Sequence, residues 1–449
     1  MPNHFTRRNF LETAAGAAGL ALATKAIALP EPAYPQQWAA GTSGQLVQFG
    51  IIGIGMQGSG LLKTSVELPG TKCIAACDLW DGRQALAKEI VASDIMTTRK
   101  YQELLANQDI QALIVAVPDH WHRQIVVDAL TAGKDVYCEK PMSHNVADGA
   151  AMVAAAQKTD RIVQVGSQRT SSALFTKAKQ LYDQGAIGEL FEVELSLGRN
   201  DPTGAWEYPP PPDLSPANLD WDTWLGTAPK KAFDPLTFAR WRCWKEYGTG
   251  VAGDLMVHLI SGMIFVTGLN QAPNSAYALG GIVRWKDGRN MPDLHAVLFN
   301  YGDVPVYVRL TLGTETTEVT RLMGPKGIIE IREHALQYLP QLGVDTAPSY
   351  YASGFPRAMR EAYDKQWHTE HDPTPGKEPL TELVTYSGPS YDDLKPHLWT
   401  FFEAVRARKP VVQNTVFGHH AAAACHMANA SYFSKGRVTF DPTTNAIKA

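Results

Sequence analysis

The sequence has few cysteines, no long apolar run and little net charge. Five scattered cysteines in 449 residues are too few for a disulfide framework, and none forms a Cys-x-x-Cys pair. Cys73 and Cys77 share one apolar run, where four residues of strand exceed the reach of a disulfide, so we predict buried thiols. No segment is long and apolar enough to span a bilayer. A formal net charge of -4 gives no reason to expect a nucleic-acid partner.

The first residues differ from the rest of the chain. Arg7 and Arg8 are followed by a weakly apolar run of Ala, Gly and Leu that ends in small residues near Ala28. This order is typical of a bacterial twin-arginine export signal, and a disordered or amphipathic N-terminus is the alternative. We therefore expect the export machinery as a partner, a periplasmic or exported location and no stable membrane anchor. Residues 1–28 are excluded from the fold, and 29–45 are treated as a linker.

A glycine-rich motif follows the first apolar strand. The stretch VQFGIIGIGMQGSG contains Gly53, Gly55 and Gly58, which form G-x-G-x-x-G between a strand and a helix. In this setting the glycines permit a tight turn, a close pyrophosphate and helix–strand packing. The next strand ends at Asp78, where a carboxylate would bind the adenosine ribose and disfavour a 2′-phosphate. The pattern predicts NAD as cofactor, while Arg83 keeps NADP open.

Strand and helix patterns alternate from residue 46 to 168. Such alternation predicts a doubly wound parallel sheet, a Rossmann domain, whose ligands lie beyond the carboxyl ends of its strands. Lys140, directly before a proline at such a strand end, is placed where a nicotinamide would lie; a surface lysine in a turn is the alternative. The candidate cofactor-binding residues are Gly53, Gly55, Met56, Gln57, Gly58, Asp78, Pro118, Asp119, His122, Glu139, Lys140 and Gln168.

After residue 169 the pattern changes. Several alternating strand-like runs follow one another without intervening helices, which indicates an open, mainly antiparallel sheet in an α+β domain covering residues 169–449. The stretch VAGDLMVH within it puts Asp254 and His258 four residues apart on an apolar helix that we expect to begin near Gly253. Taken alone, Asp254 is a helix cap and His258 a buried core histidine.

Four motifs in order resemble the Gfo/Idh/MocA family of oxidoreductases. They are GIGMQG, VPDHWH, CEKPM and GTGVAGDLMVHL, and the resemblance runs from about Val47 to Ile331 and from about Asp392 to Pro442. It implies that Lys140, Asp254 and His258 meet over the nicotinamide as catalytic residues. It also implies an open sheet whose outer face carries a subunit contact, hence a homo-oligomer. Whether Lys140 or His258 takes the proton stays open.

A Pro- and Trp-rich segment, residues 201–247, separates the two patterns. Its tryptophans offer flat apolar faces to a sugar ring or simply pack the loop onto the body. Arg240 and Arg242 hold an acidic sugar or form ion pairs, and the substrate candidates are Arg169, Trp241 and Arg242. Residues 341–390 fit the family core poorly and are expected to be an insertion that contains one helix. His419, His420 and His426 lie near the C-terminus at a spacing that specifies no metal site.

Three functions are consistent with these residues. The leading one is an exported NAD(P)-dependent oxidoreductase that acts on a secondary hydroxyl of a sugar, polyol or glycoside. Export favours a tightly held cofactor, because the periplasm holds little free NAD. The second is a redox-neutral, NAD-dependent glycoside hydrolase or lyase. The third is a non-catalytic sugar or nucleotide sensor, which has no need of Lys140, Asp254 and His258 together.

Overall fold

The computed structural model describes residues 24–29, 46–341, 349–371, 382–388 and 393–449. The first sheet and its helices comprise β2 (Val47–Ile52), α1 (Met56–Glu67), β3 (Thr71–Cys77), α2 (Asp81–Val91), β4 (Met96–Thr98), α3 (Tyr101–Ala106), β5 (Ala112–Val115), α4 (Asp119–Thr131), β6 (Asp135–Cys138), α5 (Val146–Gln157) and β7 (Val163–Val165). The connection to the second sheet carries α6 (Ala173–Asp183), and the Pro- and Trp-rich segment carries α7 (Trp221–Leu225) and α8 (Pro235–Ala239).

The remaining elements build the second sheet and its helical layer. They are β1 (Thr24–Ala28), β8 (Glu192–Gly198), α9 (Val257–Thr267), β9 (Ser275–Gly281), β10 (Leu294–Tyr301), β11 (Val304–Thr311), β12 (Thr316–Gly324), β13 (Gly327–Arg332), β14 (Ala335–Pro340), α10 (Ser349–Ala352), α11 (Arg357–His371), β15 (Leu383–Ser387), α12 (Leu394–Ala407), α13 (Thr415–Ser434), β16 (Val438–Asp441) and β17 (Ala446–Lys448).

The first sheet is a Rossmann sheet. Within the described residues its six strands run parallel in the order β4-β3-β2-β5-β6-β7, the order of a dinucleotide-binding fold. Buried apolar residues fill both faces of its central strands, as sandwiching helices require. The predicted fold class is confirmed for this half. Strand β4 was not predicted, because its three residues form no apolar run.

The second sheet has one buried and one open face. The described residues give it eleven strands in the order β1-β15-β14-β13-β12-β8-β11-β10-β9-β16-β17, and only β1–β15 and β8–β11 pair in parallel. Along β10, Val297 and Phe299 point into the core beneath the sheet while Leu298 is exposed. The core lies between this face and helices α9 and α13. The predicted open, mainly antiparallel sheet is confirmed.

Residues 24–28 correct one expectation. We excluded residues 1–28 from the fold, yet Thr24–Ala28 forms β1 and pairs in parallel with β15 along its whole length. The physical reason is that β15 presents unpaired N–H and C=O groups at a sheet edge, and a short extended segment satisfies them. Residues 1–23, which carry the arginine pair, and most of the predicted linker lie outside the described residues.

The C-terminal part of the chain returns to the Rossmann domain. Helix α12 packs Phe401 and Phe402 into the core around Phe49, whose ring centroid lies 5.3 Å from that of Phe402. Gln164 of β7 donates to the His397 carbonyl at 2.8 Å. The predicted boundary at residue 168 therefore does not separate the cores, because α12 completes the N-terminal one.

The predicted insertion at 341–390 is only partly outside the sheet. Residues 342–348, 372–381 and 389–390 lie outside the described residues. The expected helix is present as α11, whose residues are mostly exposed. Strand β15, however, pairs antiparallel with β14, so this part of the segment belongs to the sheet.

The cysteines and helices agree with the composition. All five cysteines, including Cys73 and Cys77, are buried free thiols, as predicted for that pair. In the described part of the chain no helix has the length and apolar character needed to cross a membrane. His419, His420 and His426 contact Asn445, Asn270 and Ser143 respectively. No group of three or more His, Cys, Asp or Glu among the described residues is placed to hold a metal ion.

Candidate active site

The glycine loop after β2 has the geometry of a phosphate cradle. Gly53 has φ of +89°, and a Cβ there would collide with the Ala116 carbonyl, while one at Gly58 would collide with the Gly53 carbonyl. Helix α1 begins after Gly55 with no side-chain cap and no acidic residue in its first turn. Its first N–H groups are therefore available to an anion, and the loop fits a dinucleotide pyrophosphate.

Asp78 is fixed beside this loop. Its Oδ2 accepts from the Ile54 N–H at 2.8 Å and its Oδ1 from the Trp80 N–H at 3.0 Å. Each oxygen keeps a lone pair, and the residue lines the cavity, as ribose binding requires. Arg83 Nη1 lies 3.8 Å from Oδ2, with the guanidinium 4.8 Å from the Phe238 ring centroid. The Asp78 carboxylate is compatible with the ribose hydroxyls of NAD, and the Arg83 guanidinium is compatible with the 2′-phosphate of NADP. The choice between the two cofactors therefore stays open.

A cavity of about 860 Å³ extends from the glycine loop to the second domain. Pro118, Asp119, Glu139 and Gln168 line it at the carboxyl ends of the Rossmann strands, as do Met56 and Gln57 from α1. Glu139 Oε1 accepts from Gln57 at 3.1 Å and from Gln168 at 2.8 Å. Asp119 Oδ2 accepts from the Thr249 N–H at 3.0 Å and from its hydroxyl at 2.7 Å, which ties the two domains together. Burial raises the pKa of both carboxyl groups.

Three predicted binding residues do not line this cavity. Gly58 serves the helix–strand contact described above. The His122 ring is buried between the carbonyl oxygens of Pro141, at 2.8 Å, and Val117, at 2.9 Å. It therefore links the segments that follow β5 and β6. Arg169 forms ion pairs with Glu318 at 2.9 Å and Asp393 at 3.2 Å. Neither His122 nor Arg169 lines the cavity, and a role for His122 in cofactor binding or for Arg169 in substrate binding stays a prediction.

Lys140, Asp254 and His258 line the cavity together. Lys140 Nζ donates to the Asp254 backbone oxygen and to Asp254 Oδ1, both at 2.9 Å. His258 Nδ1 is buried and has no hydrogen-bond partner among the described residues. The structure thus brings together, across 114 residues of chain, the three side chains that the sequence selected.

The helix that carries Asp254 starts earlier than predicted and contains a π-helical turn. Helical backbone begins at Gly250, and residues Ala252–Met256 form the π turn before α9. Asp254 therefore lies inside the helix and does not cap it. π turns recur at functional sites because the wider turn re-aims side chains. Both Asp254 and His258 face the cavity here.

Charges at this end of the cavity fix the protonation of the pair. Burial alone raises the pKa of Asp254, but the Lys140 ammonium and the Arg242 guanidinium outweigh it and hold that pKa well below its usual value. Burial lowers the pKa of His258 well below its usual value, and the charges of Lys140 and Arg169 lower it further. At neutral pH the site therefore holds a carboxylate and a neutral imidazole.

The Pro- and Trp-rich segment forms the opposite wall. Trp221 and Trp224 stack with ring centroids 4.8 Å apart inside a separate apolar cluster, so these two rings pack the segment itself. Trp206, Trp224 and Trp241 also line the cavity. Both interpretations of the tryptophans thus apply, and Trp224 both packs the segment and lines the cavity. Arg242 Nε lies 3.2 Å from Asp254 Oδ1 at the cavity wall, whereas Arg240 pairs with Glu207 outside it.

Arg199 and Tyr208 are among the cavity residues of the second domain that sequence reasoning missed. Arg199 directly follows β8, and Tyr208 lies in the Pro-rich segment. The strand-end rule that selected Asp78 and Lys140 could have selected Arg199. Tyr208 has no comparable signal, because neither spacing nor motif marks it.

Comparisons with known proteins agree with this geometry. Residues 47–167 match the GFO_IDH_MocA family model, described as an oxidoreductase family with an NAD-binding Rossmann fold. Inositol 2-dehydrogenase of Salmonella typhimurium is 33% identical over 142 residues, which is 31% of this chain and 42% of that protein. The inositol 2-dehydrogenase of Gluconacetobacter diazotrophicus is 31% identical over 34% of this chain and 47% of its own length. The matched region thus spans less than half of either relative.

The whole fold resembles a solved structure as well. Myo-inositol 2-dehydrogenase from Lactobacillus plantarum superimposes with a TM-score of 0.63 at 18% identity, covering 88% of this chain and 100% of that one. At this identity the likeness extends to the two-domain fold. The family model supports an NAD-binding Rossmann fold for residues 47–167, and the solved structure supports the fold alone.

Proposed function

We propose that this chain is an NAD(P)-dependent oxidoreductase that oxidises a secondary hydroxyl of a sugar, polyol or glycoside. One observation carries the proposal: Lys140, Asp254 and an unpartnered His258 lie in the same cavity as the glycine loop and Asp78. An alcohol oxidation needs a hydride acceptor and a base at one place, and this cavity offers sites for both.

NAD, held by the glycine loop and Asp78, would supply the hydride acceptor. The chain supplies the proton chemistry. Lys140 already donates two hydrogens to Asp254, which fixes its ammonium in the cavity and leaves one hydrogen for the reacting oxygen. His258 is neutral and its Nδ1 has no acceptor or donor among the described residues, so it is the better candidate to take the hydroxyl proton. Asp254 stabilises the charged imidazole that results.

The covered adenosine end supports a tightly held cofactor. The Pro- and Trp-rich segment crosses the tip of β3: the Asp220 N–H donates to Leu79 at 3.1 Å and the Asp81 N–H donates to Asn218 at 3.0 Å. Trp224 and Phe238 line the cavity beside Arg83. A nucleotide between these elements would leave only after the segment lifts, which slows its release.

The first test is the nucleotide content of the purified protein. We expect near-stoichiometric NAD or NADH in the denatured filtrate, identified by mass. Sugars would then be scored for oxidised products by chromatography, because a retained cofactor gives no accumulating NADH. A protein that takes up no nicotinamide dinucleotide, either as purified or on titration, would contradict the proposal.

A redox-neutral glycoside hydrolase or lyase is the second candidate. The same covered cofactor end favours it, since transient oxidation followed by hydride return needs no exchange of nucleotide. In that cycle the ketone acidifies the neighbouring C–H, the leaving group is eliminated, and water addition completes hydrolysis. Free sugar released from a glycoside without net NADH would distinguish this activity from a net oxidation.

Export and self-association complete the proposal. The arginine pair, apolar run and small residues in order support a twin-arginine signal and a periplasmic or exported location. Changing Arg7 and Arg8 to lysine should retain the protein in the cytoplasm, which cell fractionation would show. On the outer face of the second sheet, Tyr277, Leu279, Leu298 and Tyr307 are exposed side by side across β9, β10 and β11. This apolar face supports a homo-oligomer.

A further inference from the structure

Arg199 is a charged residue of the cavity that lacks an anionic partner. It directly follows β8, and its backbone N–H donates to Thr311 at 2.9 Å, which fixes the start of its side chain. The residue lines the cavity with Tyr208, Trp241 and His258. Within the described part of the chain, no carboxylate forms an ion pair with its guanidinium and no acceptor receives its hydrogens. The residue is half-buried, and its guanidinium hydrogens are available to a ligand or to water in the cavity.

The neighbouring carboxylates are already engaged. Asp254 is shared between Lys140 and the Nε of Arg242. Glu139 accepts from Gln57 and Gln168, and Asp119 accepts from Thr249, and burial raises the pKa of both. Lys140 and Arg242 thus share the Asp254 carboxylate, and Arg199 lines the same cavity without a carboxylate partner among the described residues. The positive charge of Arg199 is therefore available to an anionic group that enters the cavity.

Arg242 lines the same cavity as Arg199. We call its two terminal nitrogens the free edge, because they have no partner among the described residues. Its guanidinium lies 4.2 Å from the Trp241 ring centroid, and only its Nε is paired with Asp254 among the described residues. Trp206, which follows Arg199 in the same loop, has a left-handed backbone conformation with φ of +63°. Its side chain is almost wholly buried and lines the cavity. Such a conformation in a bulky residue persists only where the surroundings enforce it. Arginine forks and flat indole faces therefore border one pocket.

We propose that Arg199, with the free edge of Arg242, binds an anionic substituent of the substrate, so that the preferred sugar or glycoside is acidic. A carboxylate matches the planar guanidinium fork, and sulfate or phosphate esters share the same chemistry. The proposal rests on the function proposed above, because it places the sugar in that same cavity. Arg199 is a specificity-determining residue in this scheme, distinct from the proton-transfer pair.

The test uses the full-length, nucleotide-loaded protein and sugars that differ only in charge. Methyl glucoside and methyl galactoside are compared with the corresponding uronates, and with glucose 6-phosphate and glucose 6-sulfate, by calorimetric titration. The best acidic ligand should bind at least ~10-fold more tightly than its neutral counterpart, since hydrogen bonds to charged groups are worth that much. This preference should weaken with added NaCl. The uronate, phosphate and sulfate arms identify the anionic group.

Variants at Arg199 test whether its effect on ligand affinity is specific to acidic ligands. Arg199→Gln should lower affinity for the best acidic ligand ~10- to 100-fold and change neutral-sugar affinity less than ~3-fold. Arg199→Lys should recover part of the loss. Arg123→Gln is the control, because it removes the same charge from an exposed side chain on α4 that does not line the cavity. Equal affinity for acidic and neutral sugars, or equal losses for both in Arg199→Gln, would overturn the inference. Absence of bound nucleotide would instead overturn the proposed function, and the calorimetric comparison would still decide the role of Arg199.

Discussion

At the scale of single residues, the Lys140–Asp254 contact links the two domains at the point where chemistry is proposed. The lysine comes from the end of β6 and the carboxylate from the helical turn before α9. Asp254 stays ionised because two cations oppose the effect of burial. Removing the Asp254 carboxylate would leave Lys140 without this ion-pair partner, whereas removing Lys140 would leave Asp254 paired with Arg242 alone.

Replacing His258 should separate chemistry from binding. His258→Ala removes the proposed base, so turnover should fall by ~10²–10⁴ while the bound nucleotide is retained. The measurement pairs product formation with nucleotide content. His420→Ala is the control, because His420 contacts Asn270 and does not line the cavity. Full turnover in His258→Ala would remove the catalytic assignment.

His295 should make the protein sensitive to acid. The residue is fully buried, and neither ring nitrogen has a partner among the described residues. Burial lowers its pKa from 6.5 to about 4, so the unfolded chain binds this proton at a higher pH than the folded one. Its contribution to stability is therefore present above pH ~6.5 and is lost as pH falls towards ~4.

His295→Phe should flatten that dependence by as much as about 3 kcal/mol between pH 7 and pH 4. The measurement is the free energy of unfolding in urea at several pH values. His334→Phe, an exposed position, serves as the control. An unchanged pH dependence in His295→Phe would show that this ring does not set the acid sensitivity.

Among elements, the Pro- and Trp-rich segment is predicted to retain the nucleotide. The Trp224 carbonyl accepts from His120 and Trp121 at 3.0 Å each, and its ring packs near Phe238 and Tyr247. Trp224→Ala should loosen the segment and reduce the nucleotide that survives extended dialysis at least several-fold. Trp367→Ala in α11 is a matched control away from the cavity. Equal retention in both variants would argue against the segment as a barrier.

Helix α12 is predicted to stabilise the Rossmann core although it comes late in the chain. Phe402 is fully buried against Phe49 and Phe401. Phe402→Ala should lower the free energy of unfolding by ~3–5 kcal/mol, the usual cost of removing a buried aromatic ring. Exposed Thr400→Ala on the same helix should cost much less. A small loss in Phe402→Ala, measured by denaturant titration, would mean that α12 docks without supporting the core.

How much could be predicted from the sequence also differs between elements. The glycine loop and the strand ends carry strong local patterns, so the fold class and Lys140 could be predicted from the sequence. Asp254 and His258 were selected by the resemblance to the Gfo/Idh/MocA family, because their spacing alone indicates a helix cap and a core histidine. Strands β1 and β15 and the docking of α12 could not, because their partners are distant in sequence and no local period specifies them. The placement of His122 and Arg169 outside the cavity lining could not be predicted for a related reason: a strand-end position does not reveal which neighbours contact the side chain.

For the whole molecule, the open face of the second sheet should govern assembly. Light scattering at micromolar concentration should give the mass of an oligomer. Leu298→Glu, at the centre of the exposed apolar face, should shift the protein towards a monomer, because burying an unpaired carboxylate opposes association. Val412→Glu, exposed elsewhere, should leave the mass unchanged. A monomeric unmodified protein would contradict the expected homo-oligomer.

The return of α12 to the first domain has a consequence for synthesis. Ribosomes add residues in order, at ~5–20 per second, and N-terminal domains usually fold first. Here the core around Phe49 stays incomplete until residues 394–407 have been made, which is tens of seconds after β7 emerges. If the proposed nucleotide binding needs this core, we expect it to begin only when the chain is almost finished. We therefore expect a nascent Rossmann domain without α12 to bind no nucleotide, and the completed chain to bind it.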